Sequence, residues 1–416
     1  VILGKYSFGL GDRFGRQGKA LLSAVEKTRQ QGVDITPVWN KSHREHIIIG
    51  TEPVDVRKEA DNAVAALKWQ GPYFVDADHI NLSTVDAFIK SSDFFTLDVA
   101  EFIDKRTDRA EVDSFVQRHN RFIGSLAIEG IDEPLQITQD QAAAAVSKYL
   151  LAVEHASKVY RHIEAAKGAA NFVVEVSMDE TVQPQTPVEL LFILAAIADE
   201  GIPAQTIAPR FTGRFNKGVD YVGDVNKFEK EFRQDVAVIK FAVEEFGLPE
   251  NLKLSIHSGS DKFSLYAPIN RVLKEFDAGL HIKTAGTTWL EELAGLAEAG
   301  RDGLAIAKDI YAQAFSRIDE LCGPYATVID IDIEQLPSPE QVNSWDGKAF
   351  VAALHHNQSC ENYNPNFRQL LHVAYKIAAE MGAHFLEALD KYEDIIAHNV
   401  TENIYERHIN PLIMRT

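Results

Sequence analysis

One pattern limits this chain more than any other. Short apolar runs end in polar residues, and each is followed by a stretch with helical periodicity. Tyr73-Phe-Val-Asp-Ala-Asp-His79, Phe172-Val-Val-Glu-Val-Ser177, Gln205-Thr-Ile-Ala-Pro209, Lys253-Leu-Ser-Ile-His257, Gly279-Leu-His-Ile-Lys283 and Ala326-Thr-Val-Ile-Asp330 all read as strands. Strands that alternate with helices favour parallel βα units, and about eight such units close into a barrel. We therefore expect an α/β fold, a TIM-type (β/α)8 barrel. The 416 residues are long for one compact domain. They hold no repeat and no linker rich in Pro, Gly or Ser, so 1–416 reads as a single domain.

Helix signals mark the segments between strands. Thr186 is an N-cap with Pro187 in the first helical position and Glu189 closing a capping box, and Gly201 stops that helix. Thr288 and Glu291 repeat the box ahead of a run closing at Gly300. A long pattern with Val146, Tyr149, Leu150, Val153, Val159, Tyr160 and Ile163 on one face predicts a helical insertion over about 139–168. Asn364 and Pro365 open a helical C-terminal region of about 364–412, with Leu370, Leu371, Ala374, Ile377 and Ala378 in helical spacing up to Gly382.

Charge narrows the partners. Sixty-one Asp and Glu against forty-two Lys and Arg give a net charge of −19. Such a field repels phosphate backbones and anionic membranes, which excludes nucleic acid and a membrane surface. No run approaches the roughly 18 apolar residues that span a bilayer. Only two cysteines occur, Cys322 and Cys360, and the first residues lack a signal-peptide pattern, so a cytoplasmic protein is expected.

In a barrel of this kind the chemistry sits at the C-terminal strand ends. Alternation places Glu175, His257 and His281 on the inward faces of three strands, a set able to hold one divalent transition metal (Zn, Ni, Mn or Co). Each residue taken alone could instead be a hydrogen-bonded strand residue. Asp78 and Lys283 are acid/base candidates: a desolvated lysine near a metal has a lowered pKa and can carry protons or bind an oxyanion. A structural Lys–Asp ion pair is the plainer alternative. Asp179, after the Glu175 strand, is a further catalytic candidate, or a residue that orients metal ligands.

Two basic clusters stand out in an acidic chain, Asn40-Lys-Ser-His-Arg-Glu-His46 and Arg210-Phe-Thr-Gly-Arg-Phe-Asn-Lys217. Arg214, Lys217 and Lys41 are candidates for binding a small anion. Asn40, His79, Asp261 and Lys262 complete the expected substrate-binding set. The glycines of Phe8-Gly-Leu-Gly-Asp-Arg-Phe-Gly15 have the wrong spacing for a dinucleotide fingerprint, and no nicotinamide is expected.

Strung together, these segments resemble the tagaturonate/fructuronate epimerases, a family similar to tagatose 4-epimerases. The resemblance is carried by Tyr6-Ser-Phe-Gly-Leu-Gly-Asp-Arg-Phe14, Thr36-Pro-Val-Trp-Asn-Lys-Ser42, Val75-Asp-Ala-Asp-His79, Glu175-Val-Ser-Met-Asp-Glu180, His257-Ser-Gly-Ser-Asp-Lys-Phe263, His281-Ile-Lys-Thr-Ala-Gly-Thr-Thr-Trp289 and Arg368-Gln-Leu-Leu-His372. It implies a bound divalent metal and a sugar or sugar-acid substrate, and leaves a homo-oligomer open. Ser125, with Thr181 and Ala267, is a position expected to tune sugar choice. The activity implied is interconversion of D-tagaturonate and D-fructuronate. The alternatives are interconversion of D-fructose and D-tagatose, a metal-dependent aldolase or isomerase on a related ketose, and a non-catalytic sugar-acid-binding protein.

Overall fold

A computed structural model describes residues 1–105, 107–284 and 286–414. Eight parallel strands close a barrel: β1 Tyr6–Gly11, β2 Ile35–Ser42, β3 Phe74–Ile80, β4 Phe94–Asp98, β5 Val173–Ser177, β6 Thr206–Ala208, β7 Lys253–Ile256 and β8 Leu280–Lys283. Neighbours follow chain order, and β1 closes the ring by pairing with β8 from Tyr6 opposite Leu280 to Gly9 opposite Lys283. The expected (β/α)8 barrel is the observed one.

The expected strand at 326–330 does not form. With β1 already on β8, no free edge remains for a further strand. Those residues instead meet a neighbouring loop and a C-terminal helix through their backbone carbonyls: Lys217 N–H donates to the Val328 carbonyl at 2.8 Å, and Gln369 Nε2, on helix Pro365–Val373, donates to the Asp330 carbonyl at 2.8 Å. Conversely, the glycine run at 8–11 belongs to β1. Gly9 is needed there, since a Cβ would stand 3.0 Å from Lys283 Cα.

Caps place the helices as the sequence predicts, with two exceptions. Thr186 accepts from the Glu189 N–H, and the Glu189 carboxylate accepts from the Thr186 N–H. The insertion is a helix, Gln139–Lys167, capped in the same way by Thr138. Helix Thr287–Glu298, however, starts one residue before Thr288, after Gly286 at φ +83°, and has no side-chain cap. The C-terminal pattern splits at Ala374 into Pro365–Val373 and Tyr375–Met381.

The main core lies between barrel and helices, where Leu191, Leu254, Leu290 and Trp289 are buried. A second cluster of Leu3, Val38, Phe74, Phe94 and Val173 plugs the bottom of the barrel. Above that plug the inward positions turn polar: Asn40, Asp76, Thr96 and Glu175 form the next layer. Buried polar groups in an otherwise filled barrel mark where the fold departs from pure packing. Among the described residues, no helix is long and apolar enough to cross a membrane.

Candidate active site

Lys283 stands at the centre of the polar layer. Its ammonium donates to Asp76 Oδ2 at 2.7 Å, Asp78 Oδ1 at 2.8 Å and the Thr96 hydroxyl, and lies 3.0 Å from Glu175 Oε1. Burial alone would lower its pKa, but Asp76, Asp78 and Glu175 outweigh that and hold it well above the ordinary lysine value. The expected lowered pKa is therefore reversed: three carboxylates surround the lysine, and it stays an ammonium. Asp76 is pushed up to about 7, chiefly by burial. Burial pushes Asp78 the same way, but Lys283, His79 and His257 bring it down to about 2.

Above this layer the strand ends gather a second group. His257 is bracketed by two carboxylates, with Nε2 2.7 Å from Glu175 Oε1 and Nδ1 3.2 Å from Asp179 Oδ2. The His79 ring lies edge-on to it, centroids 5.0 Å apart. His79 reaches this place through a register shift between β3 and β4 at Ala77–Ile80, with its own backbone at φ +53°. Alternation would send His79 outward; the bulge and left-handed backbone turn it back over the mouth. Donor atoms of His79, Asp179 and His257 all lie within 4.8 Å of one another, a set suited to a transition metal.

Electrostatics agree with that reading. Burial disfavours charge on His257, yet Asp179 and Glu175 raise its pKa to about 9; Asp78 and the Asp98 hydrogen bond raise His79 to about 10. Asp179 is held low against burial by His257 and His79, and Glu175 by Lys283 and His257. The cluster demands positive charge between its carboxylates. Protons supply it in the bare protein, and a divalent ion fits the same place.

The remaining candidates divide between mouth and frame. His281 is fully buried lower in the barrel: Nδ1 meets the Ser7 hydroxyl at 2.9 Å, Nε2 has no partner among the described residues, and burial lowers its pKa to about 3. It thus acts on Glu175 from below, outside the His79 cluster. Asn40 faces inward from β2, its Nδ2 3.5 Å from the Thr284 carbonyl. The Lys217 ammonium lies over the Tyr325 ring, 5.7 Å from its centroid; burial lowers its pKa, and Arg13, Glu45, Arg44 and Asp78 act on its charge.

Lys41, Lys262 and Asp261 are engaged in holding loops. Lys41 donates to the Arg13 carbonyl at 2.9 Å, and Lys262 to the carbonyls of Asn216, Val219 and Ser260. Asp261 forms a buried ion pair with Arg368 at 2.9 Å and accepts from Thr287 Oγ1 at 3.0 Å. Arg214 is exposed and pairs with Asp330 at 2.8 Å. Ser125 sits on an exposed hairpin, Gly124–Leu126 with Leu135–Ile137, whose tip packs on the outer helices at Ala237 and Phe276. Sequence reasoning passed over Asp76, although its place two residues before Asp78 puts both on one face, and Thr96, which bridges Asp76 and Glu175.

Known proteins resemble this chain over almost its whole length. A family model described as UxaE, tagaturonate epimerase, matches residues 1–412. A tagaturonate/fructuronate epimerase from Thermotoga maritima is 27% identical over 421 residues, covering 98% of this chain and 80% of that protein. Crystal structures of fructuronate-tagaturonate epimerase UxaE from Cohnella laeviribosi share the fold. The form with two glycerols has a TM-score of 0.82 at 24% identity, covering 99% of this chain and 82% of that one. The native form has a TM-score of 0.79, also at 24% identity, covering 98% and 81%.

Proposed function

The chain belongs to the tagaturonate epimerase family, and on that footing we propose that it is a metal-dependent epimerase that interconverts D-tagaturonate and D-fructuronate. The observation that carries the metal dependence is the convergence of His79, Asp179 and His257 donors within 4.8 Å at the barrel mouth. In this reading Glu175 and His281, expected as ligands, stand behind the metal. Glu175 fixes the His257 ring through Nε2, the carboxylate–histidine arrangement that orients a metal ligand, and leaves Nδ1 for the ion. A divalent cation held there would polarise the ketone and a neighbouring hydroxyl of the substrate.

The chemistry follows from the position inverted. That carbon is β to the ketone, so removing its hydrogen gives a carbanion with no conjugation to the carbonyl. Cleaving the bond between the α and β carbons avoids it. Asp78 takes the proton of the β-hydroxyl, the carbon–carbon bond breaks, and an aldehyde and an enolate result. The aldehyde turns, the enolate adds to its other face, and the proton returns to the new alkoxide. Lys283 touches both Asp78 and Asp76, and Asp76 at about 7 is poised to hold that proton between the two steps. Lys217, with Arg13 beside it, provides the positive field for the substrate carboxylate.

An NMR assay with tagaturonate and with tagatose, before and after chelation and metal add-back, tests this. Metal-restored conversion of tagaturonate is expected, without a primary isotope effect from deuterium on the β carbon. Preference for tagatose would move the substrate to the neutral ketohexose. A primary effect would replace carbon–carbon cleavage with transfer of that hydrogen.

A further inference from the structure

Thr96, on β4, is fully buried where the hydrogen bonds of the polar layer cross. Lys283 Nζ donates to its hydroxyl oxygen. The same oxygen stands 3.0 Å from each carboxylate oxygen of Asp76 and 3.2 Å from Glu175 Oε1. Strand register brings the three together. Thr96 lies opposite Glu175 in the β4–β5 pair, and Asp76 lies opposite Phe94, two residues before Thr96 on the same inward face.

A hydroxyl has one proton to give and two lone pairs with which to accept. The Lys283 ammonium can only donate, so it occupies one of those lone pairs. Two carboxylates are left competing for a single proton. While Asp76 is ionised it is the nearer acceptor, and it holds the hydroxyl in a charge-assisted hydrogen bond. In the epimerisation described above, Lys283 gives a proton to Asp76 Oδ2, 2.7 Å away, as it takes one from Asp78 Oδ1, 2.8 Å away, and so remains an ammonium. Once Asp76 is neutral, the ionised Glu175 is the stronger acceptor. The direction of the hydroxyl follows the charge on Asp76.

We propose that Thr96 is a positioning residue for the proton step: its hydroxyl keeps Asp76 ionised until the proton arrives, then turns to Glu175, the carboxylate that orients His257. Its catalytic meaning rests on the epimerase reading above. The charged groups that act on Asp76 are Lys283 from β8, Asp78 from its own strand and Glu175 from β5; its register neighbours on β2 and β4, Asn40 and Phe94, carry no charge. Burial and the two carboxylates push Asp76 up to about 7, against Lys283. Thr96 stands on the side of Lys283 as an uncharged donor, since a hydrogen bond given to the ionised form lowers a carboxyl pKa.

Carbon-13 NMR of the metal-free protein, labelled at its aspartate carboxyls and assigned with Asp76→Asn, reads the Asp76 titration directly. The pH profile of turnover by the metal-loaded enzyme reads its use. Thr96→Val keeps the shape and loses the hydroxyl. It should raise the Asp76 midpoint by about one pH unit or more and move the acidic limb of kcat the same way. Near neutrality kcat should fall about tenfold while KM stays within about twofold. Thr96→Ser keeps the hydroxyl and should hold midpoint and limb at their wild-type positions. Should Thr96→Val fail to fold, Thr96→Ala takes its place. A midpoint and limb unmoved without the hydroxyl would overturn the proposal. So would an equal shift in Thr96→Ser, which would trace the effect to packing of the methyl group. A wild type that converts neither sugar would remove the epimerase reading, and the carboxyl titration would then decide by itself whether Thr96 holds Asp76 ionised.

Discussion

His257 shows how one residue's setting decides its chemistry. With Glu175 2.7 Å from one ring nitrogen and Asp179 3.2 Å from the other, the imidazole is oriented from behind and faces the place where His79 arrives. In the proposed arrangement His257→Ala removes a ligand, whereas Glu175→Gln removes only the group that orients one. Metal titration should show no tight binding for the first and a loss of about 10- to 100-fold for the second. Tight binding that vanishes equally in Glu175→Gln and His281→Ala would restore Glu175 and His281 as the ligands.

The same two histidines set a pH dependence whose sign is fixed. His257 at about 9 and His79 at about 10 carry protons in the bare protein, and a metal must displace them. Metal affinity should therefore climb with pH through neutrality and level off above about 10. The bare protein should respond in the opposite sense. Raised histidine pKa values stabilise the fold fully below the ordinary value near 6.5, and that contribution is lost as pH rises through about 9 to 10. Metal titrations and denaturation midpoints across this range check both directions.

At the scale of elements, the site depends on how strands end. The bulge that turns His79 inward and the loop after β8 both use left-handed backbone, at His79 and at Gly286. Gly286 faces two constraints at once. Its φ is +83°, and an added Cβ would stand 2.4 Å from His372 Nε2 and 2.9 Å from Arg13 Nη2. Gly286→Ala should lower stability by about 1–3 kcal/mol, read as a lower denaturant midpoint at unchanged slope. The loop after β7 is fixed differently: Arg368 binds Asp261 at 2.9 Å and the carbonyls of Gly218 and Leu354. The C-terminal helices thus clamp the segment that follows His257.

For the whole molecule, what the sequence could reveal follows from which signals are local. Strands such as Val173–Ser177 carry their own alternation, and Thr186-Pro-Val-Glu189 carries its own cap, so both were legible. Closure is not local. Residues 326–330 read as a strand, yet the pairing of β1 with β8 leaves them no edge. The histidine set was half legible for the same reason. Alternation brought Glu175, His257 and His281 to one interior, but the bulge that moves His79 inward, and the loop that brings Asp179 to His257, depend on tertiary pairing. Lys262 and Asp261 read as sugar contacts because their role, holding the 216–219 loop and Arg368, needs chain from elsewhere in the sequence.

The central claim is that a divalent metal sits among His79, Asp179 and His257. Anomalous diffraction from crystals of the protein loaded with Mn²⁺ or Zn²⁺ tests it most directly. The account predicts a peak bonded to Asp179, to His257 through Nδ1 and to His79, with Glu175 hydrogen-bonded to His257 behind it. A peak bonded to Glu175 and His281, with His79 turned away, would contradict it.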